Sequence, residues 1–202
     1  LIFLLPAAYF WSRGYFNAGM KKRSGVFAAL LGFQGFLGWY MVKSGLDEPQ
    51  KSTDIPRVSQ YRLASHLGSA FLLYSGFLWS SLTHLLPATT TVSKSLDAAT
   101  LKRASMRSHS LMSLIFLTAV AGAFVAGLDA GLVYNEFPMM GDRWIPSDLL
   151  AIEPKWRNFF ENPTTVQFQH RVLGIATVSA ITLYALLMRR VPLPPRARLA
   201  LN

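Results

Sequence analysis

Five apolar stretches separate the polar segments of this chain, and they predict most of its secondary structure. They cover residues 1–11, 25–42, 63–86, 111–128 and 166–188. A membrane-spanning helix needs about 20 mainly apolar residues, and the last four stretches reach or approach that length. The first is only about half a span, and we interpret it as the end of a helix that begins before Leu1. The pattern predicts an all-α membrane protein, a polytopic transmembrane helix bundle with about 4.5 spans in this chain.

The polar segments between these stretches alternate in charge. Residues 13–23, 94–107 and 189–202 are basic, whereas residues 43–62 are nearly balanced and residues 129–161 hold six acidic side chains against three basic ones. Basic loops mark the inner side of a membrane protein. The helices that begin near residues 25 and 111 are therefore predicted to run outward, and those that begin near residues 63 and 166 to run inward.

Two histidines share the outer side in this topology. His66 and His170 each fall near the start of an inward-running helix, and each has an arginine close by, Arg62 and Arg171 respectively. An imidazole is an axial ligand of haem iron, and an arginine is a cation for the haem propionates. The competing interpretation is a structural or interfacial role for both histidines. Residues 61–68 and 167–174 each place a histidine before a glycine. Two related half-bundles would produce this weak similarity, and a chance match is the alternative because the identities are few.

The other two histidines are predicted to lie on the inner side. His84 follows His66 by 18 residues, which is about 27 Å along a helix and nearly the whole hydrocarbon thickness. We therefore interpret His84 and His109 as interfacial polar residues rather than as ligands of a second, stacked haem.

Composition excludes several classes of protein. The chain has no cysteine, so thiolate zinc sites, iron–sulfur clusters and covalently attached haem are excluded from it. The net charge of +10 comes from basic residues at alternate helix ends, which topology explains, and no nucleic-acid partner is predicted. A transporter would show helix breaks and charges in mid-membrane, and the pattern has neither.

Residues within the spans also predict how the helices pack. Gln34, in the middle of its stretch, is expected to form an interhelical hydrogen bond. Small residues let helices approach closely in lipid, and they recur at regular spacing at Gly32, Gly35, Gly38, Ala119, Ala123, Gly127 and Gly131. We interpret these small residues as bundle packing.

Four longer motifs carry a resemblance to a known family. They are QGFLGWYMVKSGL at residues 34–46, PRVSQYRLASHLG at residues 56–68, AGLDAGLVYNEFPMMG at residues 126–141 and ENPTTVQFQHR at residues 161–171. These motifs resemble the mitochondrial form of haem A synthase, and the resemblance covers nearly the entire chain.

The resemblance implies an eight-helix protein made of two four-helix halves, with haem-ligating histidines on helices 2, 4, 6 and 8. Residues 1–108 would belong to the N-terminal half and residues 109–202 to the C-terminal half, so that this chain holds the end of helix 2 through helix 6. His66 and His170 would then ligate different haems, each with a partner histidine outside this chain. The residues alone, which place both at one depth, would instead pair them across one haem, and we follow the family.

The resemblance also implies a reaction, the oxidation of the C8 methyl group of haem O to the formyl group of haem A. His66 would belong to the half that binds the substrate haem O, and His170 to the half that binds a haem b cofactor. The catalytic carboxylate of the family would lie upstream of Leu1. The alternative is a membrane bis-histidine b-type haem protein that transfers electrons without substrate chemistry.

The family further implies a location and partners. These are the mitochondrial inner membrane, a haem O synthase and a ferredoxin-type electron donor. The charge pattern predicts that residues 43–62 and 129–165 face the intermembrane space. A homo-oligomer is one open alternative, because the sequence does not determine the number of copies. Gln169 departs from the aspartate or asparagine that often precedes the histidine in the family. Residues 134–146, which are apolar and rich in proline, are predicted to form either an ordered lid over the His170 site or an interfacial anchor.

Overall fold

The computed structural model describes residues 1–47, 57–86 and 97–193. Within these ranges the chain is helical and contains no β-strand. The helices are α1 (Leu4–Ser12), α2 (Ala18–Asp47), α3 (Gln60–Leu85), α4 (Ala98–Gly127), α5 (Asn158–Glu161) and α6 (Pro163–Met188), with single 3-10 turns at Ala130–Leu132 and Lys155–Arg157. The predicted all-α class is confirmed.

The helices extend beyond the apolar stretches, most of all at α4. This helix begins at Ala98 rather than near residue 111, because the basic segment before the span continues the helix. Asp97 caps its first turn by accepting a hydrogen bond from the backbone nitrogen of Thr100 at 3.3 Å. Its interaction with Thr100 lowers the pKa of Asp97 from the usual value. Lysine and arginine are good helix formers, so the polar segment needs no loop.

Three helices in the described ranges are long and apolar enough to cross a membrane. They are α2, α4 and α6, by length and composition. The helix α3 has the length, 26 residues, but it carries Arg62 and His66 near its start and His84 in its last turn, which make it more polar. These lengths and compositions are those of a multi-pass membrane protein.

The chain divides into two compact units, Leu1–Leu86 and Pro87–Asn202. In the N-terminal unit α2 pairs with α3, and the rings of Phe3, Phe27 and Phe77 cluster with centroids 4.5 to 6.5 Å apart. Gly76 makes room for this cluster, because a Cβ there would lie 2.8 Å from Phe27. Gln34 donates to Ser69 Oγ at 2.9 Å and to the carbonyl of His66 at 3.1 Å, which confirms its predicted interhelical bond.

In the C-terminal unit α4 pairs with α6. Two hydroxyl pairs join these helices at different levels, Thr118 with Thr177 and Ser108 with Tyr184, each at 2.7 Å. The predicted boundary between residues 108 and 109 falls inside α4, and the division of the complete protein into two halves stays a prediction.

The packing prediction for the small residues is confirmed at Gly38, which contacts α3, and stays a prediction at Gly32, Gly35 and Gly131. A Cβ at Gly32, Gly35 or Gly131 would meet no atom within 4 Å in the part of the chain that the structure describes. On α2, Gly38 faces α3, whereas Gly32 and Gly35 lie on other sides of the helix. In α4 the corresponding glycine is Gly122, which the regular spacing had not singled out.

Candidate functional site

His66 lies on α3, and its imidazole packs against a glycine of the neighbouring helix. A Cβ built on Gly38 would lie 3.3 Å from Cε1 of His66 and 3.8 Å from Nε2. The ring is half-buried, and its Nδ1 is fully buried with no hydrogen-bond partner among the described residues. The absence of a side chain at Gly38 therefore makes the space that the ring occupies.

His170 has the same arrangement in the C-terminal unit. It lies on α6, and a Cβ on Gly122 of α4 would lie 3.1 Å from its Cε1 and 3.5 Å from its Nε2. Its Nδ1 is likewise buried without a partner in the described ranges.

The similarity extends one turn along each glycine-bearing helix. Gln34, four residues before Gly38, bonds across to α3, and Thr118, four residues before Gly122, bonds across to α6. The two units thus repeat one local design, in which an interhelical hydrogen bond and a glycine together position an imidazole. The weak internal similarity of the sequence has a structural counterpart.

This arrangement fits one axial ligand of a haem in each unit. Leaving a buried nitrogen without a hydrogen bond costs about 1–3 kcal/mol, and such exceptions call for an explanation. Because Nδ1 is enclosed by protein, Nε2 is the nitrogen that can reach an iron, and neutral imidazole is a common metal ligand. Among the described residues no group of three or more histidine, cysteine or acidic side chains could hold a bare metal ion.

The two predicted propionate-binding arginines lie beside their histidines. The guanidinium of Arg62 lies over the ring of Tyr40, 5.4 Å from its centroid, one turn before His66. Arg171 donates from Nη1 to the carbonyl oxygen of Met139 at 2.9 Å and lies over the ring of Phe137. Arg171 therefore holds the loop against α6, and the propionate role of both arginines stays a prediction.

The loop at residues 133–157 folds back onto the first turns of α6. Gln167 donates to the carbonyl of Tyr134 at 2.7 Å, and Asp148 accepts from Thr164 Oγ1 at 2.5 Å and from the hydroxyl of Tyr134 at 3.3 Å. The pKa of Tyr134 is raised, mainly by desolvation of the hydroxyl and to a smaller extent by the negative charge of Asp148. These bonds give the loop defined contacts near His170. Whether it acts as a lid or as an interfacial anchor stays a prediction.

Two asparagines that the sequence reasoning missed organise this loop. Asn158 is 0% exposed, and its side chain accepts from the nitrogen of Ile152 at 2.9 Å and donates to the carbonyls of Ile152 and Lys155. Asn162 caps α6 by accepting from the nitrogen of Thr164 at 2.9 Å. The signal was present, since asparagine directly before Pro163 and two threonines is typical of a helix start.

The remaining predicted residues take no part in the contacts of His66 with Gly38 and of His170 with Gly122. Gln169 donates to the carbonyl of Phe159 at 2.7 Å. His84 and His109 are exposed, and Nδ1 of His109 lies 2.7 Å from the carbonyl oxygen of Ser105 in its own helix. Neither histidine contacts His66 or His170 within its unit, and the interfacial role of both stays a prediction.

Known proteins provide an independent comparison. The family model described as cytochrome oxidase assembly protein matches residues 1–202. Heme A synthase COX15 from Bos taurus is 57% identical over 200 residues, which are 99% of this chain and 48% of the relative. The protein of the same name from Saccharomyces cerevisiae is 40% identical over 225 residues, covering 100% of this chain and 46% of the relative. Heme A synthase from Nitrosospira multiformis is 42% identical over 203 residues, covering 99% and 53%.

The chain spans about half the length of the curated relatives that it matches. No solved structure matches it. The resemblance carried by the four sequence motifs is nevertheless confirmed, because both the family model and the relatives cover essentially all of this chain. The chain belongs to the family of cytochrome oxidase assembly proteins.

Proposed function

We propose that the protein to which this chain belongs is a haem A synthase, an oxidoreductase that converts the C8 methyl group of haem O to a formyl group. The reaction would proceed by two hydroxylations of that carbon, each a two-electron oxidation in which an external oxidant supplies the oxygen atom, and the resulting diol would lose water to give the formyl group. The observation that carries the proposal is the repeated contact of a half-buried imidazole, its Nδ1 buried, with a glycine, once in each unit. Relatives named heme A synthase from Bos taurus and from Nitrosospira multiformis support it.

The residues of this chain would divide the work between two sites. His66 would be an axial ligand in the half that binds haem O, and His170 would be an axial ligand of haem b. Haem b, when bound, supplies reversible one-electron transfer. Arg62 and Arg171 would place positive charge beside the propionates, since arginine pairs well with carboxylates. Each arginine is held by a ring or a backbone carbonyl, which limits its movement.

The loop at residues 133–157 would limit access of water to the haem b site. Its bonds to Gln167 and Arg171, on either side of His170 in the sequence, hold it against the start of α6. A closed site strengthens electrostatic interactions and prevents side reactions.

We further propose that the protein spans the mitochondrial inner membrane, with residues 43–62 and 129–165 in the intermembrane space. The charge alternation supports this orientation. A haem O synthase would supply the substrate and a ferredoxin-type protein the electrons, and the protein would assemble as a homo-oligomer.

The activity is tested in cells that make haem O but lack a haem A synthase. Expression of the full-length protein should produce haem A, identified by chromatography and mass spectrometry of extracted haems. His66→Ala at a matched protein level should produce none. The proposal is contradicted if the wild-type protein is present and contains haem b but the cells accumulate haem O and make no haem A. That result would favour the b-type electron carrier.

A further inference from the structure

A groove with a basic rim lies between α4 and α6, at the end of the C-terminal unit away from His170. It has a volume of about 400 Å³. A second cavity of about 260 Å³ adjoins it. Arg103 and Arg107 line both cavities, and the walls of the larger one include Leu111, Leu114, Leu183 and Leu187. The site is therefore an open groove with a basic end and a mainly apolar wall.

The two arginines are one helical turn apart on α4. The charge of Arg103 acts on the carboxylate of Asp97, and this is the one acidic side chain that the described residues place near the pair. Neither forms an ion pair with an acidic residue in the described ranges. Arg103 donates weakly to Thr100 Oγ1 at 3.4 Å, and the nearby Asp97 accepts its hydrogen bond from the nitrogen of Thr100. Arg189 and Arg190, at the end of α6, add positive charge at the same level. An anion at this rim would be attracted by several cations.

The depth of the groove matches the edge of a bilayer. Both of its helices are long and apolar enough to span a membrane, and the hydrogen bond between Ser108 and Tyr184 joins them where the polar part of α4 ends. Below that level the walls are leucine and alanine apart from Ser110, a composition that suits the hydrocarbon region. Above it are the arginines, at the level of lipid headgroups.

We propose that this groove binds an anionic phospholipid, with its phosphate between Arg103 and Arg107 and one acyl chain along Leu111, Leu114 and Leu183. Charge complementarity selects this occupant, because basic pockets between membrane helices on the inner side bind anionic headgroups. A zwitterionic lipid would match the apolar walls but would leave the rim positive. The site is independent of the haem sites, and it does not require the proposed activity.

The test uses the full-length protein purified in detergent. Native mass spectrometry measures the binding of added phosphatidylglycerol and phosphatidylcholine to the wild-type protein, to R103Q/R107Q and to K21Q/K22Q, a control that removes the same charge from the N-terminal unit. The wild-type and control proteins should prefer phosphatidylglycerol. R103Q/R107Q should lose about 10- to 30-fold in affinity for it and bind both lipids alike. Haem content, unchanged in all three, verifies folding.

Two further measurements distinguish the lipid from a soluble anion. Ala180→Phe, which fills the apolar part of the groove, should weaken phosphatidylglycerol binding without changing any charge. Inorganic phosphate at millimolar concentration should not displace the lipid. Equal lipid preference in R103Q/R107Q and wild type, displacement by phosphate, or unchanged binding in Ala180→Phe would each overturn the proposal.

Discussion

Replacing Gly122 by alanine tests whether this glycine positions His170. The added Cβ would lie 3.1 Å from Cε1 of the imidazole, whereas carbon atoms pack best at about 3.5–4.0 Å. The ring or the helix must therefore move by a few tenths of an ångström. Overpacking of this kind costs about 1–3 kcal/mol, and the alanine returns about 0.5–1 kcal/mol because it is the better helix former. The free energy of unfolding should fall by about 0–2.5 kcal/mol.

Haem retention should fall more than stability does. A ligating group must be held within about 0.5 Å of its productive position, and the ring of His170 has only the space that Gly122 leaves. The assay compares haem b per protein, from reduced-minus-oxidised spectra, with the thermal unfolding of the same full-length samples. Gly122→Ala should keep most of its folded protein and lose a large part of its haem b.

The matched control is Gly131→Ala, in the same unit. A Cβ at Gly131 would meet no described atom within 4 Å, so this variant should retain its haem and its stability. In the N-terminal unit the test variant is Gly38→Ala, whose Cβ would lie 3.3 Å from Cε1 of His66. Its control is Gly35→Ala, whose Cβ would meet no described atom within 4 Å. If Gly122→Ala binds as much haem b as Gly131→Ala does, the glycine has no positioning role and the reasoning is refuted.

Three further predictions concern the loop before α6. Asn158→Ala should lower the free energy of unfolding by about 1–3 kcal/mol, because it leaves buried backbone groups unpaired. Thermal unfolding measures this loss, and the control Asn135→Ala, at an exposed position, should not show it. The fold raises the pKa of Tyr134, so its neutral hydroxyl should stabilise the fold at any pH below the pKa that Tyr134 has in the unfolded chain. This stabilisation should disappear as the pH rises through the pKa of Tyr134 in the folded protein. If Tyr134→Phe shows the same loss of stability at alkaline pH as the wild type, the prediction is contradicted. An epitope inserted after Asp142 should be cleaved by protease in mitoplasts, and protection there would overturn the proposed orientation.

The sequence predicted the helices and their membrane character because apolar length is a local property. It failed at the start of α4, where a basic segment continues the helix beyond the span. It identified Gln34 as an interhelical hydrogen-bonder because an amide in an apolar stretch needs a partner. It could not select Gly122 over Ala119 or Ala123, because the choice depends on the rotation of α4 relative to α6.

The candidate site was predictable only in part for a similar reason. His66 and His170 could be found from their repeated contexts and from the family motifs. The burial of their Nδ1 atoms and their glycine contacts depend on helix pairing, which joins residues far apart in the sequence. The bonds of Asn158 and Asp148 are also tertiary, since they join a loop to itself and to α6.

The central claim is that each unit contributes one histidine to a haem of its own, and haem stoichiometry tests it most directly. Haem is counted per protein, with its spectrum, in the full-length wild type, in His66→Ala, in His170→Ala and in the double variant, with His84→Ala and His109→Ala as controls. The two single variants should lose spectrally different haems, the double variant should lose both, and the controls should retain both. Loss of one and the same haem in His66→Ala and His170→Ala would show that the two histidines share a single iron, and would contradict the account.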